Sequence, residues 1–339
     1  MQRIIECVPN FSDGKNKDII DAIADAVRAV KGVSLLYVDS DADYNRTVYT
    51  FSGDPEAVLE AAFQAAKAGL ELIDMRVHKG GHPRMGALDV CPFVPVSGVS
   101  MQECVACAEA FGSRVAAELG VPVFLYEQAA RVPQRRNLAN VRNGEYEGLA
   151  EKLADPAWCP DFGASEFNAR SGAIITGARP FLIAYNVNIK NTDVSYANQI
   201  AGVLRESGFI VRDAAGEKVL GPDGEPKRIP GRLKCFKGLG VEMPKHGITQ
   251  VSINLTDYHV TPPHVAYEEV KKEAALLGVE VGGSEIVGLI PKEALLMAGR
   301  FYAPNESGER ALEAAAIKGL GLSDLYEFKA GEKVIEYLI

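Results

Sequence analysis

Apolar residues recur along the chain at two periods, one near two residues and one near 3.6, and their alternation predicts strands and helices in a repeated order. Residues 4–9 read as a strand. Ile19, Ile20, Ile23, Val27 and Val30 share one face of a helix predicted from Asn16 to Val30, closed by Gly32. Strands follow near residues 34–38 and 48–52. Asp54, Pro55 and Glu56 then supply an N-cap, a first-turn proline and an acidic first turn, and this alanine-rich helix is expected to stop near Gly69. A strand is predicted at residues 90–94, a helix capped by Ser100 with Glu103 closing a capping box, and a strand at residues 121–125.

The second half repeats the theme in pattern rather than identity. Residues 181–187 read as a strand, 188–193 as a turn and 194–206 as an amphipathic helix. Residues 249–255 alternate as a strand should, and Thr261-Pro262-Pro263 opens a helix to about Leu277. Short strands are predicted at residues 280–281 and 286–289, and Pro291 starts another helix. Each half therefore gives strand–helix–strand twice, the split βαβ arrangement of a ferredoxin-like layer, with helices mostly on one face of an open sheet. The expected fold class is α+β: two ferredoxin-like βαββαβ-type α/β layers forming two subdomains, residues 1–178 and 179–339, with a groove between them. Residues 131–158 lack clear strands and are expected to cross between the halves or fold over the site. Residues 208–233 read as an exposed hairpin turning at Gly221-Pro222-Asp223-Gly224.

Composition narrows the function. With 339 residues, 47% hydrophobic and 24% charged, the chain fits a soluble globular protein with a full core. No apolar run reaches the ~18 residues of a membrane span, and the start, Met1 to Glu6, lacks the features of a signal peptide, so a cytoplasmic location is expected. A net charge of -9 argues against a nucleic-acid surface. It also requires any acidic substrate to find a local basic site, and the candidate cations are Arg46, Lys79 and Arg84, then Arg131, Arg135, Arg136 and Arg142. Cys104 and Cys107 share an apolar helical face with Phe111 and Val115, which reads as buried thiols rather than a metal or redox pair.

The chemistry concentrates in residues 78–96. Two imidazoles, His78 and His82, sit with Lys79 and Arg84 in a loop rich in glycine and proline, which then enters an apolar strand. Histidine is the side chain best suited to move protons near neutral pH, and a reactive loop fastened to a buried strand holds such a residue still. Zinc is the rival reading, but Gly80, Gly81 and Pro83 oppose a helix through the His-x-x-x-His spacing; an inert surface loop is the other. Arg46 and Arg84 offer bidentate geometry to carboxylates or form surface ion pairs. Asn10 could donate to a ligand or cap the entry to the first helix. The run from Asp39 to Asp43 lacks the glycine and distal glutamate of a calcium loop.

Several long stretches resemble a known family: residues 6–12 (Glu6-Cys7-Val8-Pro9-Asn10-Phe11-Ser12), Asn45-Arg46-Thr47-Val48-Tyr49-Thr50-Phe51, the run from His82-Pro83-Arg84-Met85-Gly86 to Phe93, Pro160-Asp161-Phe162-Gly163, Thr176-Gly177-Ala178-Arg179 and Ile335-Glu336-Tyr337-Leu338. Over nearly its whole length the chain resembles the formiminotransferase domain of formiminotransferase–cyclodeaminase and the single-domain glutamate formimidoyltransferases. The resemblance implies transfer of a formimino group from N-formimino-L-glutamate to tetrahydrofolate as co-substrate, in a homodimer; no metal is expected, and no cyclodeaminase domain is expected to follow. His82 stands at the family's catalytic position, and Asn10, Asn45, Arg46 and Arg84 are the candidate substrate- and folate-binding residues beside it. The folate-contacting segment falls on Gly163, Ala164, Ser165, Glu166, Phe167, Asn168, Ala169, Arg170, Ser171 and Gly172, and its interior, residues 164–171, departs from the family pattern.

A histidine that takes the proton of the attacking N5 amine and returns it to the departing glutamate nitrogen would serve such a reaction. A carboxylate that orients the ring would assist, and Asp39, at the end of a predicted strand, is the candidate, with turn formation as its plain alternative. His78 is expected to be supporting or exposed, with a small effect on turnover. Three other readings stand beside this one: the same fold acting on 5-formyltetrahydrofolate, a folate-binding protein without turnover, and a covalent carrier at Cys91.

Overall fold

The structure, a computed structural model, describes residues 3–222, 224 and 226–339; Met1 and Gln2 of the amino-terminal stretch and Asp223 of the predicted turn lie outside the described residues. Two compact units divide the chain at Pro180 and Phe181, Ile339 packing with the first.

In the first unit the opening strand is split into β1 (Ile4–Cys7) and β2 (Asn10–Phe11) around Pro9, which has no N–H for a sheet ladder. Helix α1 (Lys17–Arg28) follows, with the Asn16 side chain accepting from the N–H groups of Asp18 and Ile19. Strands β3 (Val33–Asp41) and β4 (Arg46–Gly53) form a hairpin, then come α2 (Pro55–Leu72) and β5 (Leu88–Ser97). The sheet order β3-β4-β1/β2-β5 is that of a ferredoxin-like βαββαβ layer. Helix α3 (Met101–Leu119), with its Ser100–Glu103 capping box, leads to β6 (Val123–Glu127), and β7 (Ile174–Ala178) inserts in parallel between β5 and β6. Between β6 and β7 run two short helices, α4 (Leu138–Arg142) and α5 (Leu149–Ala154).

The second unit is β8 (Ile183–Ile189), α6 (Val194–Leu204), the two-residue strands β9 (Phe209–Ile210) and β10 (Arg228–Ile229), β11 (Phe236–Met243), β12 (Ile248–Leu255), α7 (Pro263–Leu276) and β13 (Val281–Val287). Its antiparallel order, β11-β12-β8-β13, repeats the arrangement of the first layer. Helices α8 (Lys292–Tyr302), α9 (Glu309–Leu320) and α10 (Ala330–Lys333) complete it. Each unit has its own core, Phe11, Phe51, Phe93 and Phe111 in the first and Tyr185, Phe236, Ile253 and Val270 in the second.

Several expectations need correction. Gly69 does not end α2: an added Cβ there would lie 2.4 Å from the Phe11 ring, so this glycine lets helix and sheet approach closely. Residues 280–281 and 286–289 are parts of one strand, β13. Strands β7 and β11 lacked a periodic signal, because β7 is buried at every position and β11 alternates glycine with other residues. Residues 131–158 do not cross between the units, since β7 returns to the first sheet after them. Residues 208–233 carry the β9–β10 ladder, and Gly224 N–H donates to the Gly221 carbonyl at 3.1 Å.

Candidate functional site

The loop that carries His82 is clamped against the β3–β4 turn. An added Cβ at Gly80 would lie 2.3 Å from the Tyr44 carbonyl oxygen, and Gly81 N–H donates to the Asp43 carbonyl at 3.3 Å. Asn45, in left-handed backbone at φ 49, is the knot. Its side-chain NH2 donates to the Lys79 carbonyl at 2.8 Å, its Oδ1 accepts from Gly14 N–H at 3.0 Å, and its own carbonyl accepts from His78 Nε2 at 3.0 Å. Both ends of the Asn45 amide are thus committed to backbone. It builds the site rather than offering itself to a ligand.

His78 is buried, donating through Nε2 to Asn45 and accepting at Nδ1 from Arg84 Nε at 3.3 Å. Burial, above all, holds it neutral. It is a supporting residue, not an exposed one, and it faces different partners from His82. Among the described residues no three His, Cys, Asp or Glu side chains gather as a metal ion would require.

His82 lies 2.8 Å from Arg46 Nη1 through its Nε2. A guanidinium can only donate, so Nε2 accepts and the ring is the neutral Nδ1–H tautomer. Burial, then the charges of Arg46, Arg142 and Arg84, pull its pKa down to about 3, opposed by a hydrogen bond to the Pro83 backbone. The edge of the ring rests against Tyr44, centroids 6.2 Å apart.

Arg46 opens β4, and its Nη1 also reaches Asn10 Oδ1, on the adjoining β2, at 3.3 Å. Asn10 in turn donates to the Val8 carbonyl, so it holds Arg46 rather than capping α1, a task done by Asn16. Among the described residues no carboxylate lies within ion-pair distance of Arg46. Asp39, Asp41 and Asp89 act on it only through the longer-range field, and Arg46 Nε is buried without a hydrogen-bond partner. No hydrogen bond or ion pair joins Asp39 to the imidazole among the described residues; its backbone pairs in register with Val48 on β4, and its carboxylate acts on Arg46 through the longer-range field. Its expected place beside His82 is taken by a cation.

Arg84 differs from Arg46. Only 6% exposed, it makes a bidentate pair with Glu147, 2.7 Å at both Nη1 and Nη2, and a third contact to Glu145 at 3.1 Å. Arg84 holds the Glu147 carboxyl down at about 2. The Arg84 fork, expected to receive a substrate carboxylate, is here filled by Glu147 and Glu145. Lys79, Gly80, Arg84, Gly144, Glu145 and Glu147 line a shallow cavity of about 420 Å³ beside the loop.

Three further residues, Glu145, Glu147 and Asp89, escaped the sequence reading. Glu145 and Glu147 reach back from the strand-free stretch to Arg84, and Arg142 on α4 pairs with Asp89, which is 2% exposed on β5 and also accepts from Met85 N–H at 2.9 Å. A carboxylate inside an apolar strand is a usable signal, since such groups are almost never buried unpaired. Cys91, in the same strand, is fully buried with its sulfur 3.5 Å from that of Cys7.

The segment running from Gly163 to Gly172 is mostly exposed from Gly163 through Arg170 and pinned at its end. Ala87 N–H donates to the Ser171 carbonyl at 2.9 Å, and Ala173 N–H to the Met85 carbonyl at 3.1 Å. Gly172 has φ 70, and an added Cβ would strike the Met85 carbonyl at 2.2 Å. Asn168 accepts from Ser171 N–H at 3.0 Å, Arg170 donates to the Glu71 carbonyl, Phe167 packs on Tyr146, and Tyr146 bonds the Ala169 carbonyl at 2.5 Å. Ala164, Ser165 and Glu166 occupy the exposed part. The tertiary structure thus joins this segment to the backbone that follows His82.

Comparison with known proteins shows what the chain is similar to. A family model described as "Formiminotransferase domain, N-terminal subdomain" matches residues 4–179, and one described as "Formiminotransferase domain" matches residues 184–339. A formimidoyltransferase-cyclodeaminase of Rattus norvegicus is 49% identical over all of this chain, which covers 60% of that protein. Proteins named glutamate formimidoyltransferase from Streptococcus pyogenes serotype M1 and Thermoplasma acidophilum are 40% and 42% identical; the match covers 89% and 88% of this chain, and 94% and 92% of theirs. The chain spans about 60% of the length of the cyclodeaminase-bearing relatives.

Proposed function

The chain belongs to the formiminotransferase family, and from that premise we propose that it transfers the formimino group of N-formimino-L-glutamate to N5 of tetrahydrofolate, releasing L-glutamate. The observation that carries this reading is His82, a neutral imidazole hydrogen-bonded at 2.8 Å to a guanidinium that has no carboxylate partner among the described residues. Arg46 has the charge and planar fork to hold a carboxylate of the donor. Arg84, saturated by Glu147, does not compete for it.

Attack of N5 on the amidinium carbon forms a tetrahedral centre bearing three nitrogens. His82 takes the proton that N5 loses and gives it to the departing glutamate nitrogen, so one imidazole serves both half-steps. No oxyanion forms, and the reacting carbon begins cationic. The segment from Gly163 to Gly172, tied to the His82 loop through Ser171 and Gly172, is the proposed folate contact, with Asn10 positioning Arg46. The enzyme works as a cytoplasmic homodimer without a metal.

A donor panel tests this. Purified protein is incubated with tetrahydrofolate plus N-formimino-L-glutamate and, separately, with 5-formyltetrahydrofolate plus L-glutamate, and folate spectra and free glutamate are followed. Transfer from the formimino donor is expected. Turnover with the formyl donor alone would replace this reading by its formyl counterpart, and folate binding without turnover would make the protein a binder. His82→Ala is expected to lower kcat and kcat/KM together by ~10²–10⁴-fold with folate affinity retained.

A further inference from the structure

The lone pair that must accept a proton in this reaction is already engaged. His82 Nε2 accepts a hydrogen bond from Arg46 Nη1, and an imidazole capped by one guanidinium and facing the charges of two more is a poor base. The cap is built in. Nη1 of Arg46 is shared between His82 and Asn10, whereas Nε and Nη2 make no hydrogen bond to any described residue. Those two nitrogens form one edge of the guanidinium, the edge that pairs a carboxylate with two parallel N–H···O bonds.

We propose that Arg46 is a positioning residue that keeps His82 idle until a carboxylate of the amino-acid donor docks on the Nε/Nη2 edge, so that the substrate's own anion switches the base on. The proposal rests on the formimino-donor reading for the identity of that carboxylate, a glutamate-type dicarboxylate. The groups facing the ring from other elements are Arg46 on β4, Arg142 on α4 and the Tyr44 ring of the hairpin turn, with Arg84 and Pro83 from its own loop. The nearby carboxylates of Asp39, Asp41 and Asp89 bear on Arg46. With no direct anion on Arg46 among the described residues, its field is only partly offset at His82. A bound carboxylate compensates that field, and Nη1 becomes a weaker competitor for the lone pair. An idle base when no donor is bound also leaves bound folate untouched.

The test is the titration of the His82 ring in the whole chain by NMR, from about pH 4 to 8.5, with and without saturating L-glutamate, the peak being assigned by its loss in His82→Ala. In the wild type alone the ring is expected to stay neutral down to about pH 4, and L-glutamate is expected to raise its midpoint by ~1–3 pH units. Arg46→Met should raise the midpoint without glutamate and abolish the glutamate response, whereas Arg46→Lys, which keeps the charge, should leave the unliganded ring neutral. Titration of the unliganded wild type near the ordinary histidine value would overturn the proposal. So would an unshifted ring in Arg46→Met, or a glutamate response that survives there. If Arg46→Met does not fold, the wild-type glutamate arm decides alone: no rise, no switch. These outcomes read the proton on His82 and not group transfer, so a failed donor panel would sink the proposed function while leaving this test intact. Formimino transfer without a glutamate-linked shift would sink the switch alone.

Discussion

The two histidines of the reactive loop sit four residues apart and do opposite things, because their ring nitrogens meet different neighbours. His78 exchanges hydrogen bonds with the Asn45 carbonyl and the Arg84 guanidinium inside the protein. His78→Ala is therefore expected to cost ~1–3 kcal/mol of stability by leaving the buried donor Arg84 Nε unpaired, read as a lowered urea midpoint. A loss of turnover without loss of stability would instead give His78 a chemical role. His82 sets a pH dependence. Its folded pKa, down to about 3, lies below its unfolded value near ~6.5, so the unfolded chain binds the proton first as pH falls. The stability that depends on the neutral ring is full above pH ~6.5 and drains away as pH falls toward ~3. Urea midpoints across that window should fall less steeply in His82→Asn than in the wild type, and equal slopes would contradict the depressed pKa.

At the scale of elements, the site is a clamp of loop on hairpin. The β3–β4 turn, the loop after α2 and the end of the 163–172 segment meet through backbone groups, and glycines stand where those backbones touch. Gly80→Ala is expected to push the His82 loop off the Tyr44 carbonyl, because the new Cβ would lie 2.3 Å from it. Circular dichroism should remain native while kcat falls at least about tenfold, since displacements near an ångström cost rates of that order or more. Full activity in this variant would show that the loop position is not what holds His82 productive. The Arg142–Asp89 pair fastens α4 to β5, and Asp89 also holds the Met85 N–H of the loop, which makes the strand-free stretch part of the scaffold rather than a cover.

For the molecule as a whole, a net charge of -9 makes a basic site local by necessity. Around His82 the cations Arg46, Arg84 and Arg142 converge in the first unit, and two of the three are matched by Glu147 and Asp89. Among the described residues no carboxylate pairs with the third, Arg46, which leaves its charge open to an anion. Because the chemistry needs only a proton shuttle and a carboxylate anchor, dialysis against a chelator should leave turnover unchanged, and stoichiometric metal bound to active protein, lost together with activity on chelation, would refute this. No helix among the described residues is long and apolar enough to cross a membrane.

What the amino-acid order determined by itself was whatever depends on neighbours in the chain. Helices α1, α2 and α3 were legible because Asn16, Asp54 and Ser100 cap them from adjacent positions and their apolar faces recur every third or fourth residue. The repeated βαββαβ order followed from the same local signals, and the motif around His82 marked the reactive loop. Strands β7 and β11 were not legible, since uniform burial in one and alternating glycines in the other erase the two-residue period. The partners in the site could not be read either. Arg46 and Arg84 look equivalent along the chain, and only the fold brings Glu147, 63 residues on, to one of them while leaving the other against His82. Asp39 and Asp89 are both carboxylates near strand ends; the fold sets the first in the field of Arg46 without a direct bond to the imidazole, while burial of β5 forces the second to find Arg142. Electrostatic partnership acts through space over a few ångströms, so sequence can name the charged candidates, but only tertiary structure decides which of them are neutralised.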